Sequence, residues 1–327
     1  MEVVTRGYHG ARSNRHFQLL RKSSVAHASR NQNCKQGQSM SVSSAKREPG
    51  DRNALEATRN RAGQRYGLEN FAFPERGNET LDLLFSHRSV RAYLPDRLPE
   101  GTLEVLVTAA QSASSSSNLQ AWSVVGVEDK DRKARLAALA NDQKHIIRAP
   151  LFLVWLLDLA RLNALANERG LLAEGLDYIE SFLVGAVDTS LAAQNAVVAA
   201  ESLGLGTVYI GAIRNKPAEV AKELGLPAHV FPLFGLVVGH PDPGVPTGVK
   251  PRLPQQAVLF RERYVWDEPQ RAAIAAYDET IKNFQQEQHI PVKAWSEQAL
   301  NRIKDAPGLH GRDRLRDALA ALGFGLK

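Results

Sequence analysis

The sequence has almost no cysteine: Cys34 is the single one in 327 residues. Because Cys34 lies among the first 47 residues, residues 48–327 contain no thiol. Disulfide bonds, thiolate metal sites and cysteine nucleophiles are therefore excluded from that larger part. The nine histidines form no His-x-Glu-x-x-His or similar cluster, so the sequence predicts no metal site.

Long apolar runs are also missing. No stretch reaches the ~20 consecutive apolar residues that a membrane helix needs, and the N-terminus lacks the apolar core of a secretory signal. Neither a Gly-x-Ser-x-Gly motif nor a P-loop is present, so a hydrolase or an NTP-driven enzyme has no supporting residues. We expect a cytoplasmic protein with no membrane partner.

Acidic residues are scarce in residues 1–47, which hold nine Lys and Arg against Glu2 alone. The formal charge of +6 therefore divides into +8 for this segment and −2 for residues 48–327. The net negative charge of residues 48–327 therefore argues against nucleic-acid binding by this part of the chain. The segment has no sustained apolar period and is predicted to be a disordered basic tail. Either translation begins at or near Met40, or the tail is a transit peptide that leads to an organelle matrix.

Residues 48–327 have the pattern of one globular domain, in a chain with 43% apolar and 23% charged residues. Short apolar runs bounded by Gly or Pro alternate with helical segments, which favours helices on both faces of one sheet. Residues 269–327 are predicted to form a helical C-terminal arm. The strands are predicted at Trp122–Val127, Leu151–Leu157, Thr207–Ile213 and Leu233–Val238.

The segment Ser181–Leu203 is apolar on nearly every helical face and predicts a central buried helix. A membrane span is the alternative, but Asp188 and Glu201 would be costly in lipid. Alanines along the segment would let another helix approach closely, including one from a second subunit.

Two short basic segments, His87–Arg91 and Lys250–Arg252, point to one phosphate held from both sides. Guanidinium groups bind phosphate oxygens in bidentate, charge-assisted pairs, and Ser89 adds a hydroxyl donor. The alternative is an ordinary solvated turn whose charges pair with Asp82 or Asp96.

Three further motifs are individually weak. Gly211-Ala212, at a strand end, would let a flat ring lie against the backbone, or it is a simple turn. The run Ser114–Asn118 could contact a polar cofactor edge, or it is a polar loop. Gln143 has an amide that suits the edge of a heterocycle, or it lies in a surface loop.

Taken together and in this order, these segments resemble the flavin-dependent nitroreductase family, in its NADPH-preferring, oxygen-insensitive major nitroreductase and flavin reductase branch. The resemblance runs from about Leu81 to Tyr264. The strings that carry it include His-Arg-Ser-Val-Arg (87–91), Ser-Ser-Ser-Ser-Asn-Leu-Gln (114–120), Gly-Ala-Val-Asp-Thr (185–189), Val-Tyr-Ile-Gly (208–211) and Lys-Pro-Arg-Leu-Pro (250–254).

The resemblance implies an α+β, nitroreductase-like fold with a central mixed sheet flanked by helices in three αβα layers. It also implies a domain-interlocked homodimer with FMN at the subunit interface. NADPH or NADH would donate two electrons, and nitroaromatics, quinones or flavins would accept them in a ping-pong cycle. An FMN reductase that supplies free reduced flavin and a non-catalytic flavin-binding protein are the alternatives.

The resemblance assigns roles to individual residues. Lys250, at the N1/O2 edge, and Gly211, near N5, would tune the flavin, which itself carries the chemistry. Arg214 would face the nucleotide donor, Glu180 would order the pocket, and Ser115 would reach the partner's flavin. The residues expected to bind the cofactor are His87, Arg88, Ser89, Val90, Arg91, Ser115, Gln143, Tyr209, Ile210, Gly211, Ala212, Lys250, Pro251 and Arg252.

Two departures from the family pattern give expectations of their own. Ala212 replaces a pocket glycine, which would place one methyl group against the ring. The region Gln285–Val292 has no arginine where the branch uses arginines to bind the 2′-phosphate of NADPH. The sequence therefore predicts a weakened preference for NADPH over NADH.

Overall fold

The computed structural model describes residues 49–68, 71 and 77–327, so the predicted tail at 1–47 lies outside the described residues. The strands are β1 (Trp122–Val127), β2 (Leu151–Asp158), β3 (Gly206–Ile210) and β4 (Val230–Gly239). The helices are α1 (Pro49–Gln64), α2 (Glu79–Ser86), α3 (Thr102–Gln111), α4 (Lys130–Leu139), α5 (Lys144–Arg148), α6 (Ala160–Glu168), α7 (Ile179–Ser202), α8 (Pro217–Leu224), α9 (Glu268–Glu287), α10 (Trp295–Ile303) and α11 (Leu315–Ala321).

The four strands form one sheet in the order β1-β2-β4-β3, and every neighbouring pair is antiparallel. The expectation of a mixed sheet is therefore wrong for these strands. Strands β2 and β3 do run in the same direction, but β4 lies between them and runs against both. Among the described residues, parallel pairing occurs at an isolated bridge between Ser89 and Thr207.

Strand β2 is at the centre of the core, and all eight of its residues are buried. Successive side chains of a strand point to opposite faces. Phe152 and Val154 pack in a cluster with residues of α4, α5 and α8, whereas Leu153 and Trp155 pack with residues of α3 and α7. Helices thus cover both faces, which gives the three-layer arrangement and explains why the strand is apolar without alternation.

Helix α7 lies against this sheet at close range. A Cβ atom added at Gly185 would lie 2.6 Å from Cγ of Leu157, so the approach requires glycine. In the described part of the chain, α7 is the one helix long and apolar enough to cross a membrane by length and composition, and 39% of its most apolar window is buried. The prediction of burial on all sides is wrong in the single chain, because Leu183 and Val187 are exposed to 52% and 54%.

The last sixty residues pack in two places. Tyr277, Ile281 and Phe284 of α9 form a small cluster with Leu253 and Trp295. Leu319 of α11 and Phe324 instead join Phe231 and Leu157 at one end of the sheet. The C-terminal residues therefore cover a sheet end and also support the loop that precedes α9.

Candidate functional site

The first basic segment, residues 87–91, runs beside the edge strand β3. The amide of Val90 donates to the carbonyl of Thr207 at 2.9 Å, and the buried hydroxyl of Tyr93 donates to the carbonyl of Val90 at 2.6 Å. A Cβ atom at Gly206 would come within 2.8 Å of Cβ of Val90. The Val90 side chain is buried and anchors the segment, which leaves the polar residues around it free to face a cavity.

The second basic segment, residues 250–252, is held by hydrogen bonds to α9 and to the turn after α1. The hydroxyl of Tyr277 donates to the carbonyl of Pro251 at 2.9 Å, and the amide of Arg252 donates to the carbonyl of Arg65 at 2.8 Å. Just upstream, the amide of Gly248 donates to Oε1 of Gln288 at 2.7 Å. Helix α9 and the turn after α1 thus determine where Lys250 and Arg252 lie.

Both segments line one cavity of about 460 Å³. We call its cationic wall the basic cradle, defined by Arg88, Ser89, Arg91, Lys250 and Arg252. No carboxylate of the described residues forms an ion pair with the four cations of the cradle. Burial, followed by the positive charges of Arg91 and Arg252, lowers the pKa of Lys250. Such a cluster favours an anionic ligand.

The solvated-turn alternative depended on ion pairs that the described residues do not contain. Asp82 accepts a hydrogen bond from the hydroxyl of Thr58 and pairs with neither arginine of the first segment. His87 does have an acidic partner, since its Nδ1 lies 2.7 Å from Oε1 of Glu201. Glu201 also accepts from the hydroxyl of Thr207 at 3.3 Å, so it orients the imidazole. The sequence alone predicts no role for Glu201 in the site.

A second cavity of about 390 Å³ lies at the far end of β3. The strand ends at Ile210 rather than at the predicted Ile213, and Gly211–Asn215 forms a 3₁₀ turn. The lining residues are Ser190, Gln194, Tyr209, Gly211, Arg214 and Phe234. The extended chain from Thr207 in β3 to Gly211, just after the strand, is about 13 Å long. It therefore connects the basic cradle with this second cavity.

Aromatic rings and a glycine shape the second cavity. The ring of Tyr209 packs edge-on against Phe234 with centroids 5.2 Å apart. Burial, followed by the negative charge of Glu201, raises the pKa of Tyr209 above its ordinary value. Ile210 and Ala212 are buried in the core cluster with Phe152. The Ala212 methyl group thus packs in the core, which leaves Gly211 to line the cavity.

Two arginines lie beside Gly211, and the charge of a third acts on both. A Cβ atom at Gly211 would lie 3.6 Å from Nη2 of Arg214 and 3.9 Å from both terminal nitrogens of Arg312. Burial and then the charge of Arg302 lower the pKa of Arg214, and burial followed by Arg214 and Arg302 lowers the pKa of Arg312. We call Arg214, Arg302 and Arg312 the arginine cluster. The resemblance indicates such charges in residues 285–292, which have no arginine, whereas Arg302 and Arg312 lie further along the C-terminal part.

The serine-rich loop is held by a buried carboxylate. Asp188 of α7 accepts hydrogen bonds from the hydroxyl of Ser115 at 2.6 Å, from the amide of Ser116 at 2.9 Å and from the amide of Ala121 at 3.2 Å. The loop contains three non-glycine residues with positive φ: Ser117, Asn118 and Gln120. Such conformations are uncommon for non-glycine residues and need support from their surroundings, which Asp188 supplies.

Gln143 is half-buried and is the residue that precedes α5. The charge of Arg91 in the basic cradle acts on His145 of this helix. Burial and then the charge of Arg91 lower the pKa of His145, whose Nε2 is buried without a hydrogen-bond partner. The ammonium group of Lys133 donates to the carbonyl of Ala149 at the other end of α5. This short helix thus presents one unsatisfied polar atom near the cradle.

The remaining predicted site residue, Glu180, is exposed in the first turn of α7 and lines neither of the two cavities. Across residues 49–68, 71 and 77–327, no group of three His, Cys, Asp or Glu side chains could hold a metal ion. The arrangement as a whole suits an elongated organic anion, with its charged end in the basic cradle and a flat ring near Gly211.

Comparison with known proteins supports the same assignment. The model described as the nitroreductase family matches residues 84–240, and that of the family's C-terminal domain matches residues 250–327. An FMN reductase (NADPH) of Bacillus subtilis is 41% identical over 76% of this chain and 98% of its own length. An NADPH-flavin oxidoreductase of Vibrio harveyi is 36% identical over 69% of this chain and 91% of its own length.

Solved structures agree in fold. The hypothetical oxidoreductase YcnD of Bacillus subtilis superposes with a TM-score of 0.73 at 38% identity, covering 77% of this chain and all of the other. The NADPH:FMN oxidoreductase of Vibrio harveyi, solved with NAD⁺, gives a TM-score of 0.68 at 33% identity over 76% of this chain and all of the other. The two family models together match residues 84–240 and 250–327, and a relative 41% identical is matched over 98% of its length, so the chain belongs to the nitroreductase family.

Proposed function

We propose that the protein is an FMN-dependent oxidoreductase that moves two electrons from NAD(P)H to nitroaromatics, quinones or flavins by a ping-pong mechanism. The observation that carries this proposal is the basic cradle: four cations around one cavity that form no ion pair with a carboxylate of the described residues. Strand β3 leads from this cavity to a second cavity beside Gly211. The names of the relatives, which include flavin reductases and NADPH-dependent oxidoreductases, support it.

The residues present fit FMN. Arg88, Arg91 and Arg252 would hold the phosphate with the hydroxyl of Ser89, because bidentate guanidinium contacts and a hydroxyl donor suit its oxygens. Lys250 would add positive charge near the reduced cofactor, and the glycine backbone at Gly211 leaves room for a ring. When bound, FMN supplies the hydride and electron chemistry, while the protein supplies position and charge.

The arginine cluster is the feature that favours NADPH as the donor. Arg214 lines the second cavity, Arg312 lies beside Gly211, and the charge of Arg302 acts on both arginines. The region 285–292 has no arginine. A 2′-phosphate distinguishes NADPH from NADH, and clustered arginines bind phosphate strongly. We therefore propose a preference for NADPH, against the weakened preference expected from residues 285–292 alone.

Reduction of free flavin is a second candidate, favoured by a specific finding. Two relatives from Bacillus subtilis, 41% and 43% identical, are named as FMN reductases. In that case the acceptor in the second half of the cycle would be FMN itself, and the protein would supply reduced flavin to another enzyme. The two candidates differ in which acceptor gives the higher kcat/KM.

The exposed face of α7 supports a homodimer. Ile179, Leu183, Val187 and Leu191 repeat at four-residue spacing and are 43–54% exposed in the single chain. Such a stripe on an otherwise packed helix is typical of a subunit interface. Sedimentation velocity of the purified protein tests this proposal, and a monomer at micromolar concentration would contradict it.

The experiment for the catalytic proposal is an anaerobic titration of the purified protein. We expect NADPH to bleach the absorbance of bound oxidised flavin, and nitrofurazone or free FMN added afterwards to restore it. Steady-state rates at several fixed concentrations of each substrate should give the parallel double-reciprocal lines of a ping-pong cycle. A flavin spectrum that ignores both NADPH and NADH would indicate a non-catalytic flavoprotein, and protein without flavin would contradict the FMN assignment.

A further inference from the structure

Arg65, at the turn after α1, contacts both basic segments, residues 87–91 and residues 250–252. Its Nη2 donates to the carbonyl of Phe85 at 2.8 Å and to the carbonyl of His87 at 2.8 Å, and its Nη1 donates to the carbonyl of Lys250 at 3.0 Å. Its own carbonyl accepts the amide of Arg252 at 2.8 Å. One residue thereby connects segments that are more than 150 positions apart in the chain.

The contacts of Arg65 concern geometry rather than neutralisation. All three acceptors of its guanidinium are backbone carbonyls, and the planar fork of donors suits several acceptors at fixed angles. Burial, followed by the nearby positive charge of Arg252, lowers the pKa of Arg65. Arg252 repels the charge of Arg65 while Glu201 attracts it, and the three hydrogen bonds to backbone carbonyls fix the position of the guanidinium group.

Helix α1 holds Arg65 in place. The hydroxyl of Thr58 donates to the carboxylate of Asp82 on α2, Nη1 of Arg61 donates to the carbonyl of Asp82 at 3.4 Å, and Leu55 and Ala62 are buried. This helix and Arg65 precede residue 84, where the match to the family model begins. The support for the cradle therefore includes a part of the chain outside the matched ranges.

We propose that Arg65 is a positioning residue of the cofactor site: it fixes the separation between the two basic segments, so that Arg88, Arg91 and Arg252 converge on one phosphate. This inference rests on the proposed FMN function. It makes tight binding of the phosphate depend on the segment that contains α1.

Riboflavin provides the discriminating probe, because it has the ring and side chain of FMN but no phosphate. Apoprotein is titrated with FMN and with riboflavin by flavin fluorescence, and the ratio of the two dissociation constants is measured for the wild type, Arg65→Gln, Arg65→Lys and Arg59→Gln. Arg59 is an exposed arginine on the same helix, so Arg59→Gln controls for the loss of one charge. A general structural defect would weaken both ligands together.

We expect Arg65→Gln to weaken FMN about tenfold, a loss of about 1.4 kcal/mol, with riboflavin unchanged and Arg59→Gln equal to the wild type. Arg65→Lys keeps the positive charge, but its single nitrogen cannot reach all three carbonyls. We therefore expect Arg65→Lys also to bind FMN more weakly relative to riboflavin than the wild type does. A full wild-type ratio in Arg65→Lys would assign the effect to charge and overturn the positioning role.

Two other outcomes separate the inference from the function on which it rests. If the wild type binds FMN more tightly than riboflavin and Arg65→Gln shows the same ratio of dissociation constants, the inference is overturned and the proposed function stays intact. A wild-type protein that binds FMN no better than riboflavin would overturn both, because the cradle would then not hold a phosphate.

Discussion

In the core around β2, every side chain from Leu151 to Leu157 is buried among apolar neighbours. The basic cradle instead brings four cations together with no carboxylate partner among the described residues. The core is complete within the chain, because each buried side chain is packed against others. The cradle is held by backbone carbonyls and buried anchors such as Val90, and its charges repel one another. An anionic ligand is the electrostatic complement that we propose for it.

Removing a large core side chain should produce the largest effect. Phe152 is fully buried and occupies the space above Gly235, where a Cβ atom would lie 2.4 Å from its ring. We expect Phe152→Ala to lower the free energy of unfolding by about 3–5 kcal/mol, from lost burial and the cavity left behind. Urea denaturation of the apoprotein measures it, with Leu172→Ala, at a position 88% exposed, as the control. Equal urea midpoints for Phe152→Ala and Leu172→Ala would contradict the expected difference in stability between core and surface positions.

A cradle substitution should separate binding from stability. We expect Arg91→Gln to weaken FMN binding about tenfold to thirtyfold, because a charge-assisted contact to the phosphate is lost. The unfolding midpoint of the apoprotein should stay the same or rise slightly, since repulsion within the cradle falls. Fluorescence titration and thermal unfolding are the measurements, and Arg97→Gln, at an exposed position nearby, is the matched control. A large loss of apoprotein stability would show that the cradle contributes to the fold itself.

The arginine cluster allows the same comparison for a second ligand. We expect Arg312→Gln to lower kcat/KM for NADPH about tenfold through KM, with NADH unaffected, because only NADPH has the 2′-phosphate. Arg316→Gln, at an exposed position on the same C-terminal part, serves as the control. An equal loss with both donors would assign Arg312 a role in folding the 3₁₀ turn, where its Nε donates to Asn215 at 2.9 Å.

The smallest expected effect concerns pH. The pKa of Lys250 lies below its ordinary value of 10.5, owing to burial and to the charges of Arg91 and Arg252. A bound anion favours the protonated amine, so FMN affinity should be constant at neutral pH and decrease as pH rises through that lowered pKa. We expect about a threefold weakening between about pH 8 and pH 10. Lys250→Arg should abolish the dependence, and a slope that persists in Lys250→Arg would assign it to another group.

Several elements could be predicted from local sequence. Strand β1 occupies the predicted residues Trp122–Val127. Helix α2 begins after Asn78, an N-cap residue whose side chain accepts the amide of Leu81, which is a helix start that local sequence can signal. The predicted end of β3 was wrong by three residues, because the chain turns at Gly211 to reach Pro217 at the start of α8. Apolar runs and capping residues are local signals, whereas such a turn depends on what packs around it.

The roles of individual side chains were harder to predict. Asp188 looked like a polar interruption of an apolar helix, yet it holds the serine-rich loop. Arg65 and Arg312 carry no local pattern that distinguishes them from other surface arginines, and their partners are 20 to 185 and 97 positions away. Nothing in the neighbouring sequence could have indicated contacts over such separations.

The sequence by itself determined the kinds of element and the chemistry available: apolar strands, a long alanine-rich helix and two basic segments that suit a phosphate. These follow from side-chain character and spacing along the chain, which are local properties. Only the tertiary structure decided that β4 lies between β2 and β3, that one side of α7 stays uncovered, and that Arg65 connects the segments at 87–91 and 250–252. Those outcomes depend on which distant apolar faces pack together, because packing of the core brings the charged loops to one cavity.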